Sequence, residues 1–162
     1  MIAPVKIVGI GEGLPKLIVT NKMMEQIVDT SDEWIVQRTG IKQRYILTDD
    51  TTVSISVEAS KKAIEKAGLS VRDIQLVIAS TIASTDRVPT LAGSVQRELG
   101  ISDCPAFDVS AGCTGFIYGL VTAASLMDTL QLDNALVLAG EGISKHIDWA
   151  DRSTCVLFGD GA

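Results

Sequence analysis

Short apolar runs, most of them without alternation of apolar and polar residues, are the first pattern in this sequence. They cover residues 5–10, 74–80, 106–109, 135–139 and 154–158. Runs of this length with apolar residues at successive positions are typical of strands that are covered on both faces. The pattern therefore predicts five strands of a mostly parallel sheet with helices on either side.

Longer segments with helical periodicity lie between these runs. They cover residues 53–67, 89–99 and 113–130. A glycine follows each of the first two, at Gly68 and Gly100, where a helix typically ends. On the third segment, Phe116, Leu120 and Met127 form one apolar stripe. The order β-α-β-α-β-α-β-β predicts an α/β fold with right-handed crossovers.

One insertion interrupts this alternation, at roughly residues 14–50, and it is too ordered in pattern for a plain loop. Within it, Thr30 and Glu33 have the spacing of a helix capping box. Trp34 and Arg38 follow one helical turn apart, so their side chains share one face. The pair could hold a flat aromatic ligand by stacking and cation-π attraction, or it could be an intrahelical contact that covers the core.

A cysteine stands where the strand predicted at 106–109 turns into the last predicted helix. A helix N-terminus carries unpaired N–H groups and the positive end of the helix dipole, which favour a thiolate there. Small residues at Ala111, Gly112 and Gly115 leave room for a sharp turn and for a substrate carbonyl. The pattern is that of a nucleophile elbow around Cys113; the alternative is a free cysteine that is only a small buried hydrophobe.

Composition and charge narrow the class of protein. The 162 residues are 46% hydrophobic but only 4% aromatic, which suits one domain packed from aliphatic and small side chains. A net charge of -6 without a basic run argues against binding to nucleic acid or to an anionic membrane. There is no signal-peptide pattern, and no segment approaches the ~20 apolar residues of a membrane span, so we expect a cytoplasmic protein. Three distant cysteines and one histidine predict neither a disulfide framework nor a metal site.

Four separated segments, taken together, resemble one protein family. They are DTSDEWIVQRTGI at 29–41, CPAFDVSAGC at 104–113, DWADR at 148–152 and FGDGA at 158–162. In order and spacing they are similar to the β-ketoacyl-acyl-carrier-protein synthase III family of the thiolase-like superfamily. The resemblance covers essentially the whole chain. It implies a five-layer αβαβα sandwich with a mostly parallel central sheet, built from two α/β halves. Residues 1–162 would be the N-terminal half, with the CoA-binding insertion at about 14–50, and the C-terminal half is absent.

The resemblance also assigns roles to individual side chains. Cys113 matches the nucleophile that is acylated by acyl-CoA, commonly acetyl-CoA. The positions that match CoA-binding residues are Thr30, Trp34, Arg38 and Arg152. Of these, Trp34 and Arg152 would hold the adenine between them. Val88 and Phe158 match acyl-pocket positions, and Val88 falls where a side chain crosses the interface of a homodimer.

The implied activity is a decarboxylative condensation that initiates fatty acid synthesis. An acyl-CoA and malonyl-acyl-carrier-protein would be joined through an acyl-cysteine, and no metal or redox cofactor is called for. The catalytic histidine and asparagine of the family lie in the absent half, so we expect the chain to be inactive alone. His146 cannot replace that histidine, because it lies in a polar segment at a position the family does not use.

Other functions stay open at this point. The chain could belong to another thiolase-superfamily condensing enzyme of secondary metabolism, or it could be a non-catalytic half-domain that needs a partner chain. The glycines of GIGEG at 9–13 could also suggest a dinucleotide fingerprint. Leu14 and Pro15 argue against that fingerprint, since they stand where its third glycine and its helix would begin.

Overall fold

The computed structural model describes residues 4–84, 86 and 88–162, and these contain five strands and six α-helices. The strands are β1 (Leu17–Thr20), β2 (Gln43–Ile46), β3 (Val77–Ser80), β4 (Ala106–Val109) and β5 (Leu136–Ala139). The helices are α1 (Asn21–Met24), α2 (Asp32–Thr39), α3 (Thr52–Lys66), α4 (Leu91–Leu99), α5 (Gly115–Leu130) and α6 (Arg152–Cys155).

A three-stranded parallel sheet in the order β4-β3-β5 forms the centre of the molecule. Val77 of β3 is in register with Ala106 on one side and with Leu136 on the other. All four residues of β3 are buried, as expected for a strand without apolar-polar alternation. Because the carboxyl ends of the three parallel strands meet at one edge, the loops that follow them lie together there.

Helices cover both faces of this sheet. On one face, α3 and α4 pack against the strands through a cluster that includes Val77, Val95 and Leu138. On the other face, α5 packs through a cluster that includes Ile78 and Ala123. The predicted α/β class, with a parallel sheet between helices, is confirmed by this layering.

The three predicted helices correspond to α3, α4 and α5. Thr51 caps α3 in a reciprocal capping box with Ser54, and Thr90 caps α4 by accepting from the N–H of Gly93. Gly100 ends α4 with a φ of 71°, which is why a glycine is suited to this position. α5 begins at Gly115, two residues later than predicted, because residues 112–114 form a 3-10 turn.

The prediction of a strand at residues 5–10 was wrong for this structure, where the segment pairs with no strand among the described residues. The glycines that follow Ile7 lie against the backbone carbonyls of α3, and a Cβ at any of them would collide with that helix. They are Gly9, Gly11 and Gly13. Two residues of extended chain advance about as far as four residues of helix, so the glycines follow α3 in step. The segment therefore lies along α3, and an apolar groove of about 460 Å³ lies between it and β5.

The prediction of a strand at residues 154–158 was also wrong. Asp151 starts α6 there by accepting a hydrogen bond from the N–H of Ser153 at 2.9 Å. The bonds from Ser153 and Thr154 lower the pKa of the Asp151 carboxyl, which keeps this cap ionised. Near this end of the chain, Gly161 forms an isolated antiparallel bridge with Glu141.

The insertion is a small folded unit around an antiparallel pair, with Leu17 of β1 opposite Ile46 of β2. α1 and α2 lie between the two strands in sequence, and their buried side chains share a cluster with Cys155 and Val156 near the end of the chain. Arg44 is buried and joins these parts, since it donates to the carbonyl of Val156 at 2.9 Å. Burial lowers the pKa of the Arg44 guanidinium.

α5 has two different sides. Gly115, Gly119 and Ala123 are buried against the sheet, so the stripe that faces it consists of small residues and not of the predicted Phe116, Leu120 and Met127. The opposite side is exposed and apolar. By length and composition alone Gly112–Leu130 could cross a membrane, which corrects the expectation that no segment approaches such a span. In this fold, the helix packs on the sheet.

Candidate active site

Cys113 lies in the 3-10 turn that joins the carboxyl end of β4 to α5, and its side chain is exposed. The turn needs a φ of 55° at Gly112, which favours glycine. Thr114 closes the turn by donating its hydroxyl to the carbonyl of Ala111 at 2.9 Å. At Gly115 a Cβ would collide with the hydroxyl of Ser80, so the small residue allows α5 to begin directly at the sheet edge. The predicted strand-turn-helix arrangement around the cysteine is therefore present.

The other two thiols are less accessible. Cys155 is fully buried, and Cys104 is partly buried with its sulfur accepting from the Gln96 amide at 3.3 Å. Burial raises the pKa of both thiols above the usual value, which lowers the fraction of thiolate at neutral pH. Cys113 is thus the exposed cysteine at the carboxyl edge of the sheet, and a buried role for it does not hold.

Two carboxylates fix the loops around this edge, and the sequence reasoning missed both. Asp108 in β4 accepts from the N–H groups of Leu91 and Ala92, each at 2.8 Å, and so holds the start of α4. Glu141, two residues after β5, accepts from the N–H groups of Ile82 and Ala83 at 3.0 Å. An acidic residue within or directly after an apolar strand was the available signal, since such a group needs donors nearby.

Trp34 forms a platform with two arginines. The guanidinium of Arg38 lies 4.3 Å from the centre of the indole ring, and that of Arg152 lies 4.8 Å from it. Arg38 is one turn along α2, as predicted, whereas Arg152 comes from α6 and is placed by tertiary structure. Arg152 also donates to the carbonyl of Asp29 at 2.7 Å, and this bond holds the arginine side chain close to the start of α2. Hereafter Trp34, Arg38 and Arg152 are called the platform.

The helix that carries Trp34 starts one residue later than predicted. Ser31, and not Thr30, is the cap: its hydroxyl accepts from the N–H of Trp34 at 3.1 Å. The predicted capping box between Thr30 and Glu33 was therefore wrong, because the cap falls at the next position. The Thr30 hydroxyl is instead buried without a hydrogen-bond partner among the described residues. Gly40 ends the helix with a φ of 72°.

The remaining candidate residues are exposed at the surface. Val88 is 89% exposed on the loop that precedes α4, and Phe158 is 39% exposed after α6. Neither side chain belongs to the hydrophobic clusters of the described residues. His146 is exposed, directly after a 3-10 turn that follows β5. Within the described part of the chain, no group of three or more His, Cys, Asp or Glu side chains could hold a metal ion.

The GIGEG segment does not form a dinucleotide fingerprint in this structure. Its first and last glycines lie alongside α3, Gly9 against the last turn and Gly13 against the first, whereas the glycines of a fingerprint would lead directly into a helix N-terminus. The segment is followed by β1, which begins at Leu17. Glycine is needed at these positions because the backbone of the segment lies so close to α3 that a Cβ would collide with the helix.

Comparison with known proteins gives one consistent family. A model of 3-oxoacyl-[acyl-carrier-protein] synthase III matches residues 107–162. The chain is 49% identical over 158 residues to the β-ketoacyl-[acyl-carrier-protein] synthase III of Clostridium beijerinckii, covering 98% of this chain and 49% of that protein. It is 50% identical over 155 residues to the protein of the same name from Erythrobacter litoralis, covering 95% and 48%. The chain thus spans about half the length of the curated relatives that it matches.

Solved structures agree with the sequence matches. The 3-oxoacyl-[acyl-carrier-protein] synthase III of Aquifex aeolicus superposes with a TM-score of 0.93 at 47% identity, covering 96% of this chain and 51% of that one. The priming β-ketosynthase of the R1128 polyketide pathway superposes with a TM-score of 0.92 at 38% identity, covering 96% and 47%. The superpositions cover 96% of this chain, so they include the parallel sheet, the turn that carries Cys113 and the platform.

Proposed function

Because this chain belongs to the β-ketoacyl-[acyl-carrier-protein] synthase III family, we propose that it supplies the nucleophile and the CoA-binding surface of an acyltransferase. The reaction is the condensation of an acyl-CoA primer, commonly acetyl-CoA, with malonyl-acyl-carrier-protein at the start of fatty acid synthesis. The observation that carries the proposal is the exposed Cys113 thiol in the turn between β4 and α5.

In the first stage the Cys113 thiolate attacks the carbonyl carbon of the acyl-CoA thioester. A new carbon–sulfur bond forms, the oxyanion is stabilised by backbone N–H donors that include that of Cys113, and the bond to the CoA sulfur then breaks. The CoA thiolate leaves with a proton, and the acyl group remains on the cysteine. Gly112, directly before the cysteine, faces open space, so no side chain at this position obstructs the approach of the carbonyl to the sulfur.

In the second stage malonyl-acyl-carrier-protein loses carbon dioxide, and the resulting enolate carbon attacks the acyl carbonyl. The carbon–sulfur bond to Cys113 then breaks, which releases the β-ketoacyl product and regenerates the Cys113 thiolate. The histidine and asparagine that assist this step in the resembled family have no counterpart in these 162 residues. We therefore propose that acylation is the part of the reaction to which these residues contribute, in a ping-pong sequence.

The platform is proposed to bind the nucleotide end of CoA. An indole with two guanidinium groups beside it offers stacking to a purine and positive charge to phosphates. The adenine would lie between Trp34 and Arg152, which requires the contact seen at 4.8 Å to open. Arg38 would supply a further contact nearby, and the Thr30 hydroxyl, which is buried in this structure, would do so once the platform opens.

The partners and the location of the intact protein are also proposed by resemblance. We expect a cytoplasmic homodimer, with β4 at the interface, since β4 pairs with β3 on one side and with no strand on the other among the described residues. Val88 and Phe158 would complete the acyl pocket in that dimer. Acyl-CoA and malonyl-acyl-carrier-protein are the proposed substrates, with no metal or redox cofactor.

A second candidate function is the priming condensation of a polyketide pathway. The R1128 priming β-ketosynthase is as close in fold as the synthase III structures, and its identity of 38% lies within their range of 34–47%, but curated relatives with 49% and 50% identity are named synthase III. Fatty acid initiation is therefore the favoured function. Assays of the intact gene product with malonyl-acyl-carrier-protein, with malonyl-CoA and with a range of acyl-CoA primers would separate the two.

Acyl transfer to the chain tests the nucleophile directly. The intact gene product is incubated with radiolabelled acetyl-CoA, and the label is mapped to a peptide. Cys113→Ala should abolish labelling, whereas Cys104→Ala, which removes a less accessible thiol, should retain it. Label that persists on the Cys113→Ala protein would exclude this residue as the nucleophile.

A further inference from the structure

We propose that Asp160 is a positioning residue for Arg152: its buried carboxylate closes the loop that carries this arginine and thereby sets the platform for CoA. The inference rests on the proposed function, since it concerns how the platform is held in place. The segment from Ser144 to Asp160 is called the Arg152 loop.

The two ends of the Arg152 loop are joined by hydrogen bonds to one carboxylate. Ser144 and Asp160 are sixteen positions apart, and the N–H of Ser144 donates to Oδ1 of Asp160 at 2.8 Å. The hydroxyl of Ser144 donates to Oδ2 at 2.5 Å. Both residues are buried, with 5% and 6% of their surface exposed, so water competes little for these bonds.

The same carboxylate attaches the loop to the insertion. Oδ2 of Asp160 also accepts from the N–H of Leu47, directly after β2, at 2.7 Å. The N–H of Asp160 donates to the carbonyl of Tyr45 at 2.8 Å. Asp160 therefore fixes the loop ends to the unit that carries Trp34, through neutral donors and without a cation paired to it among the described residues.

Arg152 lies in the middle of the loop, where the local structure is held by hydrogen bonds other than those of Asp160. Asp151 caps α6 from within the loop, and the Trp149 indole donates to the carbonyl of Ser144 at 3.1 Å. Asp160 acts together with the bond from Arg44 to the carbonyl of Val156 in fixing the position of the loop relative to Trp34. Since stacking requires the guanidinium within a few ångströms of the ring, a shift of about 1 Å in the loop weakens it.

A double-mutant cycle in the intact gene product tests this role, with the Kd of CoA measured by titration calorimetry. Asp160→Asn puts an NH2 group where an oxygen accepts from Leu47, and we expect the Kd to rise about tenfold. In an Arg152→Ala background, the same substitution should change the Kd less than about twofold, because the group being positioned is gone. At saturating acyl-CoA, kcat should stay within about twofold, since Cys113 lies on a different loop.

Two further variants complete the design. Ser144→Ala removes one donor and keeps the carboxylate; it should raise the Kd by about threefold even if Asp160→Asn does not fold. Asp133→Asn changes an exposed carboxylate without a side-chain hydrogen bond among the described residues, and it should leave the Kd unchanged.

The outcomes separate this inference from the proposed function. An unchanged Kd in folded Asp160→Asn and Ser144→Ala proteins overturns the positioning role, and so do equal losses with and without Arg152. If Arg152→Ala itself leaves the Kd unchanged, the platform assignment fails, and the role of Asp160 fails with it. A rise in the Kd of Asp160→Asn that disappears in the Arg152→Ala background supports both the positioning role of Asp160 and the platform assignment.

Discussion

Replacing Trp34 by alanine removes the ring on which the platform is built. In the unliganded protein this ring contacts Arg38 at 4.3 Å and Arg152 at 4.8 Å, and it sits on the edge of the cluster around Ile35. An adenine that enters between Trp34 and Arg152 gains about 1–3 kcal/mol of stacking. It gives up one exposed cation-π contact of about 0.5–1 kcal/mol. The net loss in the variant lies between about 0 and 2.5 kcal/mol, and its midpoint of about 1.2 kcal/mol corresponds to about an eightfold loss of affinity for CoA.

The assay is steady-state kinetics of the intact gene product together with calorimetry of CoA binding. We expect Trp34→Ala to raise KM for acyl-CoA and Kd for CoA by this factor, while kcat changes less than about twofold, because the platform does not contact the thioester. Trp34→Phe keeps an aromatic face and should give an intermediate value. Gln37→Ala, an exposed change on the same helix, is the matched control.

Circular dichroism at the assay temperature shows whether Trp34→Ala remains folded, since the ring also covers apolar side chains. A large fall in kcat with KM and Kd unchanged would refute the assignment of this surface to CoA. It would mean that Trp34 acts on the chemical step instead.

The remaining predictions concern the thiols, a helix cap and the isolated chain. With limiting iodoacetamide, peptide mapping should show Cys113 alkylated first; Cys104 and Cys155 should need higher pH, since burial raises the pKa of both and their thiolate forms only as the pH approaches it. Earlier alkylation of either would contradict the nucleophile assignment. Asp108→Ala leaves two N–H groups at the start of α4 without an acceptor. Denaturant unfolding should therefore show that the free energy of unfolding falls by about 2 kcal/mol, whereas Asp133→Ala should leave it almost unchanged. The purified 162-residue chain with acetyl-CoA and malonyl-acyl-carrier-protein should give no condensation product, and sedimentation should show self-association through the exposed side of α5. Turnover of about 1 per second or more, or a monodisperse monomer, would contradict this.

The sequence by itself determined the features that depend on local pattern. Short, mostly apolar runs predicted the strands β3, β4 and β5, because a strand covered on both faces is apolar at most positions; β4 has one charged residue, Asp108. Gly68 and Gly100 were predicted to follow helix ends, and both have the positive φ, 68° and 71°, that favours glycine at this position. Cys113 could be placed in its turn for the same reason, since strand, small residues and helix follow one another directly along the chain.

Tertiary structure decided what depends on distant residues. The residues at 5–10 have the pattern of a strand, but their position along α3 follows from close packing of Gly9 and Gly11 on that helix. No periodicity indicates that Arg152 reaches Trp34, because the Arg152 loop folds back through bonds between distant residues, among them that from Arg152 to the carbonyl of Asp29. A hydrogen bond or a stacked pair between separate elements forms only where the folded chain brings the two residues together. The sequence next to each residue does not determine which distant residue it will contact.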